Sequence, residues 1–192
     1  MTVIVGVLAL QGGFDAHVKV LEAAGLPARL VRTAADLEGL DGLVLPGGES
    51  PAQLRLIARG RLEPALQAFA ATGRPVLGTC AGLILMARAV TPRQHSLGWL
   101  DVAVDRNAYG TQLDSFEAED DAGTRRLVFI RAPAIVEVGA GVEILARFRG
   151  VPVLVRQGSV WGAAYHPELD GPALHEKIFA AAPPRSSPRD RL

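Results

Sequence analysis

The amino-acid sequence predicts an α/β protein: a doubly wound, mostly parallel sheet with helices on both faces and a β-rich, antiparallel elaboration in the second half. Three observations lead there. Short, continuous apolar runs alternate with helical patterns through the first half of the chain. Such runs suit strands covered on both faces. They end in glycine-containing turns: Gln11-Gly12-Gly13, Pro46-Gly47-Gly48 and Gly78-Thr79-Cys80-Ala81-Gly82. Beyond Thr91 the helical patterns stop and short strands follow one another.

The first apolar run, residues 3–10, is a buried strand. A helix over 14–24 follows, with Phe14, Val18 and Leu21 on one face. Gly25 stops it, and Pro27 restarts an extended segment over 28–31. A short helix near Ala34–Leu37 leads to a second buried strand, Gly42–Leu45. After Pro46-Gly47-Gly48-Glu49-Ser50 a helix starts near Ala52. Another spans 61–72, with Pro64 tolerable in its first turn and Gly73 at its end. Val76-Leu77 is the strand that delivers Cys80, and 81–88 is rich in helix formers. Residues 91–96 form a polar loop. Strands are expected over 100–104, 113–118, 127–130, 142–148, 151–155 and 160–164, with Arg149-Gly150 as a hairpin turn. A closing helix over 172–182 carries Leu174 and Ile178 as its apolar stripe. Residues 1–182 are thus expected to form a single domain, and 183–192, rich in Pro, Ser and Arg, a disordered tail.

Composition excludes several classes. The 192 residues include 20 basic and 20 acidic side chains, which balance, so no electrostatic footprint for nucleic acid exists. Gln11 ends the N-terminal apolar run too early for a membrane span, and no basic segment precedes it. A lone cysteine makes no internal disulfide, so nothing suggests an oxidising compartment. A cytoplasmic enzyme or binding protein is expected. His17, His95, His166 and His175 lack the spacings of zinc motifs, and no metal or cofactor is expected.

Cys80 lies between Gly78 and Gly82 in a strand–turn–helix context. Small neighbours permit the sharp backbone of a nucleophile elbow, and the start of a helix favours a thiolate. On these residues alone a buried structural thiol is an equal alternative. Gly47-Gly48 can turn backbone N–H groups outward as an anion nest, although a tight strand-to-helix turn would leave the same residues. Position favours the nest: ligands of open α/β sheets bind beyond the carboxyl ends of strands, where Gln11, Gly48 and Cys80 would share a rim. The last strand delivers His166-Pro167-Glu168. In an extended chain, side chains two apart point the same way, which pairs a base with its orienter. Alone, the pair also reads as a solvated strand end. His17 reads as a solvated helix residue or one facing a partner, His175 as helix surface and His95 as loop.

Together, Gly-x-Cys-x-Gly, Pro-Gly-Gly-Glu-Ser and His-x-Glu resemble the class I (triad) glutamine amidotransferases, which are flavodoxin-like. Finer strings resemble the glutaminase subunits of pyridoxal 5′-phosphate synthase: Val7-Leu8-Ala9-Leu10-Gln11-Gly12, Leu45-Pro46-Gly47-Gly48-Glu49-Ser50, Arg106-Asn107-Ala108-Tyr109-Gly110, Asp114-Ser115-Phe116-Glu117, Phe129-Ile130-Arg131-Ala132-Pro133 and His166-Pro167-Glu168-Leu169. The resemblance runs from about Val3 to Phe179. It implies hydrolysis of L-glutamine to glutamate and ammonia through a cysteine thioester, and delivery of ammonia to a separate (β/α)8-barrel synthase subunit in a hetero-oligomer. It implies Cys80 as nucleophile, His166 as acid/base and Glu168 as its orienter. Gly48, Glu49, Ser50, Arg106, Ile130 and Arg131 are the implied glutamine-binding positions. Gly48 and Ala81 are the implied oxyanion hole, with Gln11 in support. One departure stands out: Pro51-Ala52 occupies the place of two threonines usual in relatives. Three other readings stay open: a glutaminase for another pathway, a cysteine hydrolase acting on other amides, and a binding subunit without turnover.

Overall fold

The computed structural model describes residues 2–108 and 115–180. Residues 109–114, which hold Tyr109, Gly110, Asp114 and the start of the expected strand 113–118, lie outside the described residues, as do the end of the expected closing helix and the tail.

Four short strands, β1 (Val5–Leu8), β2 (Ala28–Val31), β3 (Gly42–Leu45) and β4 (Val76–Thr79), build the parallel part of the main sheet with β12 (Val160–Ala163). Every residue of β1, β3 and β4 is buried, as expected of strands covered on both faces. Their order, β2-β1-β3-β4-β12, is the flavodoxin-like winding. Helices α1 (Phe14–Ala23), α2 (Ser50–Arg59), α3 (Glu63–Ala70), α4 (Ala81–Met86) and α5 (Ala173–Phe179) accompany it. Helix α1 packs with α5, and α2 with α4. Val7, Leu43, Val44 and Leu77 have no exposed surface, and burying each such side chain contributes roughly 1.5–3 kcal/mol.

The second half is β-rich, as expected. Strands β10 (Glu143–Phe148) and β11 (Val151–Gln157) extend the main sheet antiparallel beyond β12, giving seven strands. Arg149 and Gly150 take positive φ between β10 and β11, the conformation a two-residue hairpin turn demands. Strands β7 (Phe116–Glu119) and β8 (Arg126–Phe129) form a separate pair.

Two strands depart from the expectation. Helix α4 ends at Met86, and β5 (Ala87–Thr91) replaces the rest of the expected helix and the start of the loop. It pairs parallel with β6 (Leu100–Asp105), and this pairing outweighs the helix propensity of Ala87 and Ala89. Strand β9 (Ala134–Val138) adds antiparallel to β6 and had no counterpart in the sequence-based expectation.

Register fixes the site. Leu45 lies opposite Gly78 and Ala163 opposite Thr79, so β3, β4 and β12 end level. Pro46, Cys80 and the chain leading to His166 therefore leave the same carboxyl edge.

Candidate active site

Cys80 turns the chain from β4 into α4 with φ 48 and ψ −104, a conformation rare for a residue with a side chain. Such strain persists only where the surroundings hold it. Here the Cys80 N–H donates to Ala163 O at 2.8 Å, and the turn is packed without slack. A Cβ on Gly82 would stand 1.9 Å from Leu45 O, so only glycine lets the elbow approach β3. Cys80 is 6 % exposed, and its thiol lies 3.9 Å from Ile130 O.

His166 follows β12 and is pinned by its N–H to Val128 O at 2.9 Å. Its Nδ1 lies 2.7 Å from Glu168 Oε1. The pairing expected from the sequence is present, but its geometry differs: Pro167–Leu169 form a 3-10 turn, not a continued strand, and the turn brings the carboxylate to the Nδ1 edge of the ring. Glu168 is buried rather than a solvated strand end. Cys80 and His166 meet around Gly47, where an added Cβ would stand 2.6 Å from His166 Cε1 and 3.4 Å from Cys80 Cβ. Burial works against a His166 imidazolium, but Cys80 and Glu168 outweigh it and push the pKa up to about 10. The contact with Cys80 is electrostatic: His166 Nε2 is buried with no hydrogen bond of full geometry among the described residues. Burial alone would raise the Glu168 carboxyl, but the hydrogen bond with His166 and the neighbouring His17 hold it below the usual range.

Two histidines correct the sequence-based expectation. His17 and His175, expected on helix surfaces, are fully buried behind Glu168. His17 Nδ1 lies 2.9 Å from His175 Nε2, and His17 Nε2 lies 3.1 Å from Thr79 Oγ1 and 3.4 Å from Glu168 Oε2. His95 is exposed and pairs with Glu63.

A cleft of about 670 Å³ opens over Cys80 and His166, within the range of small-molecule sites. Of the residues named from the sequence, Gln11, Gly48, Glu49, Ser50, Arg106, Ile130 and Arg131 line it with Cys80 and His166. Ala81 opens α4 beside Cys80, and its N–H is one that a helix start leaves without an intrahelical acceptor. Glu168 lies behind the lining. The Pro46–Glu49 loop is tied from below: Glu49 N–H donates to Gln11 Oε1 at 2.8 Å, Gly13 N–H to Gly47 O at 3.0 Å, and buried Gln53 Nε2 to Gln11 O and Pro46 O. Arg131 takes positive φ and pairs its guanidinium with Glu49 across the mouth. Pro51 sits in the first turn of α2, where it fits.

Gln94 and Gln53 were not singled out from the sequence. Gln94 Oε1 accepts from Ser50 Oγ at 3.1 Å and from Arg106 Nη1 at 2.8 Å, joining two lining residues from the 91–96 loop. No local signal marks Gln94, since its contacts come from distant segments. Among the described residues no group of three or more His, Cys, Asp or Glu could hold a metal ion.

The model of the SNO glutamine amidotransferase family matches residues 7–179. The chain is 46% identical over 188 residues to "Pyridoxal 5'-phosphate synthase subunit PdxT" of Shouchella clausii, covering 95% of this chain and 96% of that protein. It is 52% identical over 171 residues to the protein of the same name from Geobacillus kaustophilus, covering 86% and 87%. Among solved structures, a glutamine amidotransferase superposes with TM-score 0.85 at 43% identity, covering 93% of this chain and 98% of that one. PurLQS from Thermotoga maritima, at 19% identity and TM-score 0.68 with 93% and 98% covered, shares the fold. With its family model spanning β1 to α5, this chain belongs to the SNO glutamine amidotransferase family.

Proposed function

We propose that this chain is the glutaminase of a pyridoxal 5′-phosphate synthase, and that Cys80, His166 and Glu168 carry its reaction. The observation that supports this best is the hydrogen-bonded His166–Glu168 pair meeting a strained cysteine around Gly47 at the carboxyl edge of the sheet.

His166 takes the proton of Cys80, and the thiolate attacks the glutamine side-chain amide carbon. The C=O π electrons move to oxygen. Backbone N–H groups of Gly48 and Ala81 stabilise that oxyanion, each worth roughly 3–4 kcal/mol in related chemistry. The tetrahedral species collapses, the C–N bond breaks, and the His166 imidazolium gives its proton to the departing ammonia. A γ-glutamyl thioester on Cys80 remains. Water, activated by His166, attacks it; the C–S bond breaks and glutamate leaves. Glu168 fixes the Nδ1–H tautomer throughout and keeps Nε2 for proton transfer.

The mouth fits the other end of glutamine. Glu49 and Arg131, paired in the free chain, match the ammonium and carboxylate of a zwitterionic amino acid. Ser50, Arg106 and the backbone of Ile130 complete the cradle. Ammonia passes to a (β/α)8-barrel synthase subunit that docks in a hetero-oligomer, in keeping with the word "subunit" in the relatives' names. A cytoplasmic location suits this role; among the described residues no helix is long and apolar enough to cross a membrane. The whole site belongs to one domain, residues 1–182.

The test is covalent trapping. A glutamine-analogue alkylator should label Cys80 stoichiometrically, and L-glutamine should protect it. Labelling that L-glutamine does not slow would favour a hydrolase of another amide.

A further inference from the structure

Behind the proposed triad lies a second layer that its chemistry leaves unexplained. His17 on α1, His175 on α5 and Thr79 at the end of β4 are all 0 % exposed. They form one continuous polar chain that ends on Glu168. Apolar side chains of the same volume would be cheaper to bury than two imidazoles, so a purely space-filling role accounts poorly for both. We infer that His17 is a positioning residue: its Nε2–H, backed by His175 and shared with Thr79, steadies the Glu168 carboxylate that orients His166. The inference deepens the glutaminase reading and rests on it for the turnover it concerns.

The direction of the chain can be worked out. Glu168 as a carboxylate only accepts. The atom facing its Oε2 is His17 Nε2, at 3.4 Å. A lone pair there would repel the carboxylate, so Nε2 carries the proton. Nε2–H also points at Thr79 Oγ1, so the contact with Oε2 is electrostatic rather than a full hydrogen bond. His17 Nδ1 is then an acceptor, and His175 must donate from its Nε2. This leaves His175 Nδ1 as a bare lone pair, in keeping with its burial without a hydrogen-bond partner. The opposite assignment would strand a buried N–H instead, the rarer and costlier outcome. The ring hydrogens of His175 and His17 therefore run towards Glu168, which accepts Nδ1–H of His166 from the other side.

The charges agree. The titratable groups facing Glu168 are His166 on its own turn, His17 from α1 and His175 from α5, with Cys80 beyond His166 and Tyr165 also within reach of its field. Burial lowers the pKa of His17, with Glu168 opposing, and pushes His175 down to about 3. Both rings stay neutral, so the layer supplies an oriented dipole, not a competing cation.

Two near-isosteric substitutions separate positioning from packing. In His17→Gln the amide nitrogen reaches as far as Nε2; in His17→Asn it stops at the Nδ1 position. Two quantities are read: glutamate release by the complex with the synthase subunit, and the pH profile of Cys80 alkylation in the same complex. Cys80 is the only cysteine of this chain, and its alkylation is followed by peptide mapping without any assumption about substrate. His17→Asn should lose roughly tenfold or more in kcat with KM little changed, the scale seen for residues that hold metal-bound histidines in place. Its acid limb should move to higher pH in both profiles, because Glu168 then protonates more easily. His17→Gln should stay close to wild type. Equal behaviour of the two variants, whether both intact or both impaired, would overturn the inference, and so would a change confined to Tm. A different alkylation profile for Asn and Gln without any glutamine turnover in the wild-type complex would keep the positioning role and reject the substrate. Ring ¹⁵N shifts of the wild-type chain add a check that needs no variant: a neutral His17 protonated on Nε2 is expected near pH 7, and the Nδ1–H tautomer would contradict it.

Discussion

Nδ1 of His166 sits 2.7 Å from Oε1 of Glu168 because Pro167 bends the chain into a 3-10 turn just past the sheet. The carboxylate is thereby buried against the Nδ1 edge of the ring instead of projecting into solvent. Glu168→Gln keeps the shape but can present an N–H to Nδ1, which favours the wrong tautomer. A loss of roughly 10²–10⁴ in kcat is expected, with KM changed little. Steady-state glutamate release with the synthase partner measures it.

Gly47 and Gly82 are predicted to fail differently. At Gly82 the added methyl meets Leu45 O, which is backbone and cannot yield, so Gly82→Ala should cost stability and lower Tm. At Gly47 it meets His166 Cε1, a side-chain atom that can move. Gly47→Ala should therefore fold and lose most of its turnover. Thermal unfolding and activity, measured on both, distinguish the two effects.

Gln94 stands between Ser50 and Arg106, two residues proposed to hold glutamine. Gln94→Ala removes a hydrogen bond to a charged group and frees both side chains. A cost of about 1–2 kcal/mol is expected in substrate binding, read as a five- to thirtyfold rise in KM with kcat largely kept.

Stability should fall in mild acid. His17 and His175 have lowered folded-state pKa values, His175 about 3, while an unfolded histidine titrates near 6.5. Below about pH 6.5 the unfolded chain therefore binds protons that the folded chain refuses, and stability drops by up to about 1.4 kcal/mol per pH unit for each. Glu168 adds to the loss only at lower pH, as it falls through its own depressed pKa. His166, raised to about 10, acts in the opposite sense: its contribution is full below about pH 6.5 and is lost as pH rises through 10. Denaturant midpoints between pH 7 and 5 check this, and His175→Gln should flatten the slope.

Much of the fold was legible because it rests on local pattern. Buried strands read as apolar runs, and the turns after them as glycines. The elbow was legible as two glycines around one cysteine. What escaped depends on contacts distant in sequence. Strand β5 exists because β6 pairs with it, against the helix propensity of Ala87 and Ala89. The His166–Glu168 pair was legible from spacing, but not its burial, which α1 and β8 impose by packing on its turn. His17 did carry a signal: it sits three residues after Phe14 and four before Leu21, inside the apolar stripe of α1. His175 likewise lies three before Ile178 and four before Phe179. A histidine at such positions is buried by the helix that carries it, and polarity alone was a misleading guide. Gln94 gave no local sign at all.

The most direct measurement is glutamate release from L-glutamine by the wild-type chain and by Cys80→Ala, each with the synthase subunit. Turnover by the wild type and none above background by a Cys80→Ala chain of unchanged Tm is the expected result. Turnover by folded Cys80→Ala would contradict the assignment of Cys80 as nucleophile.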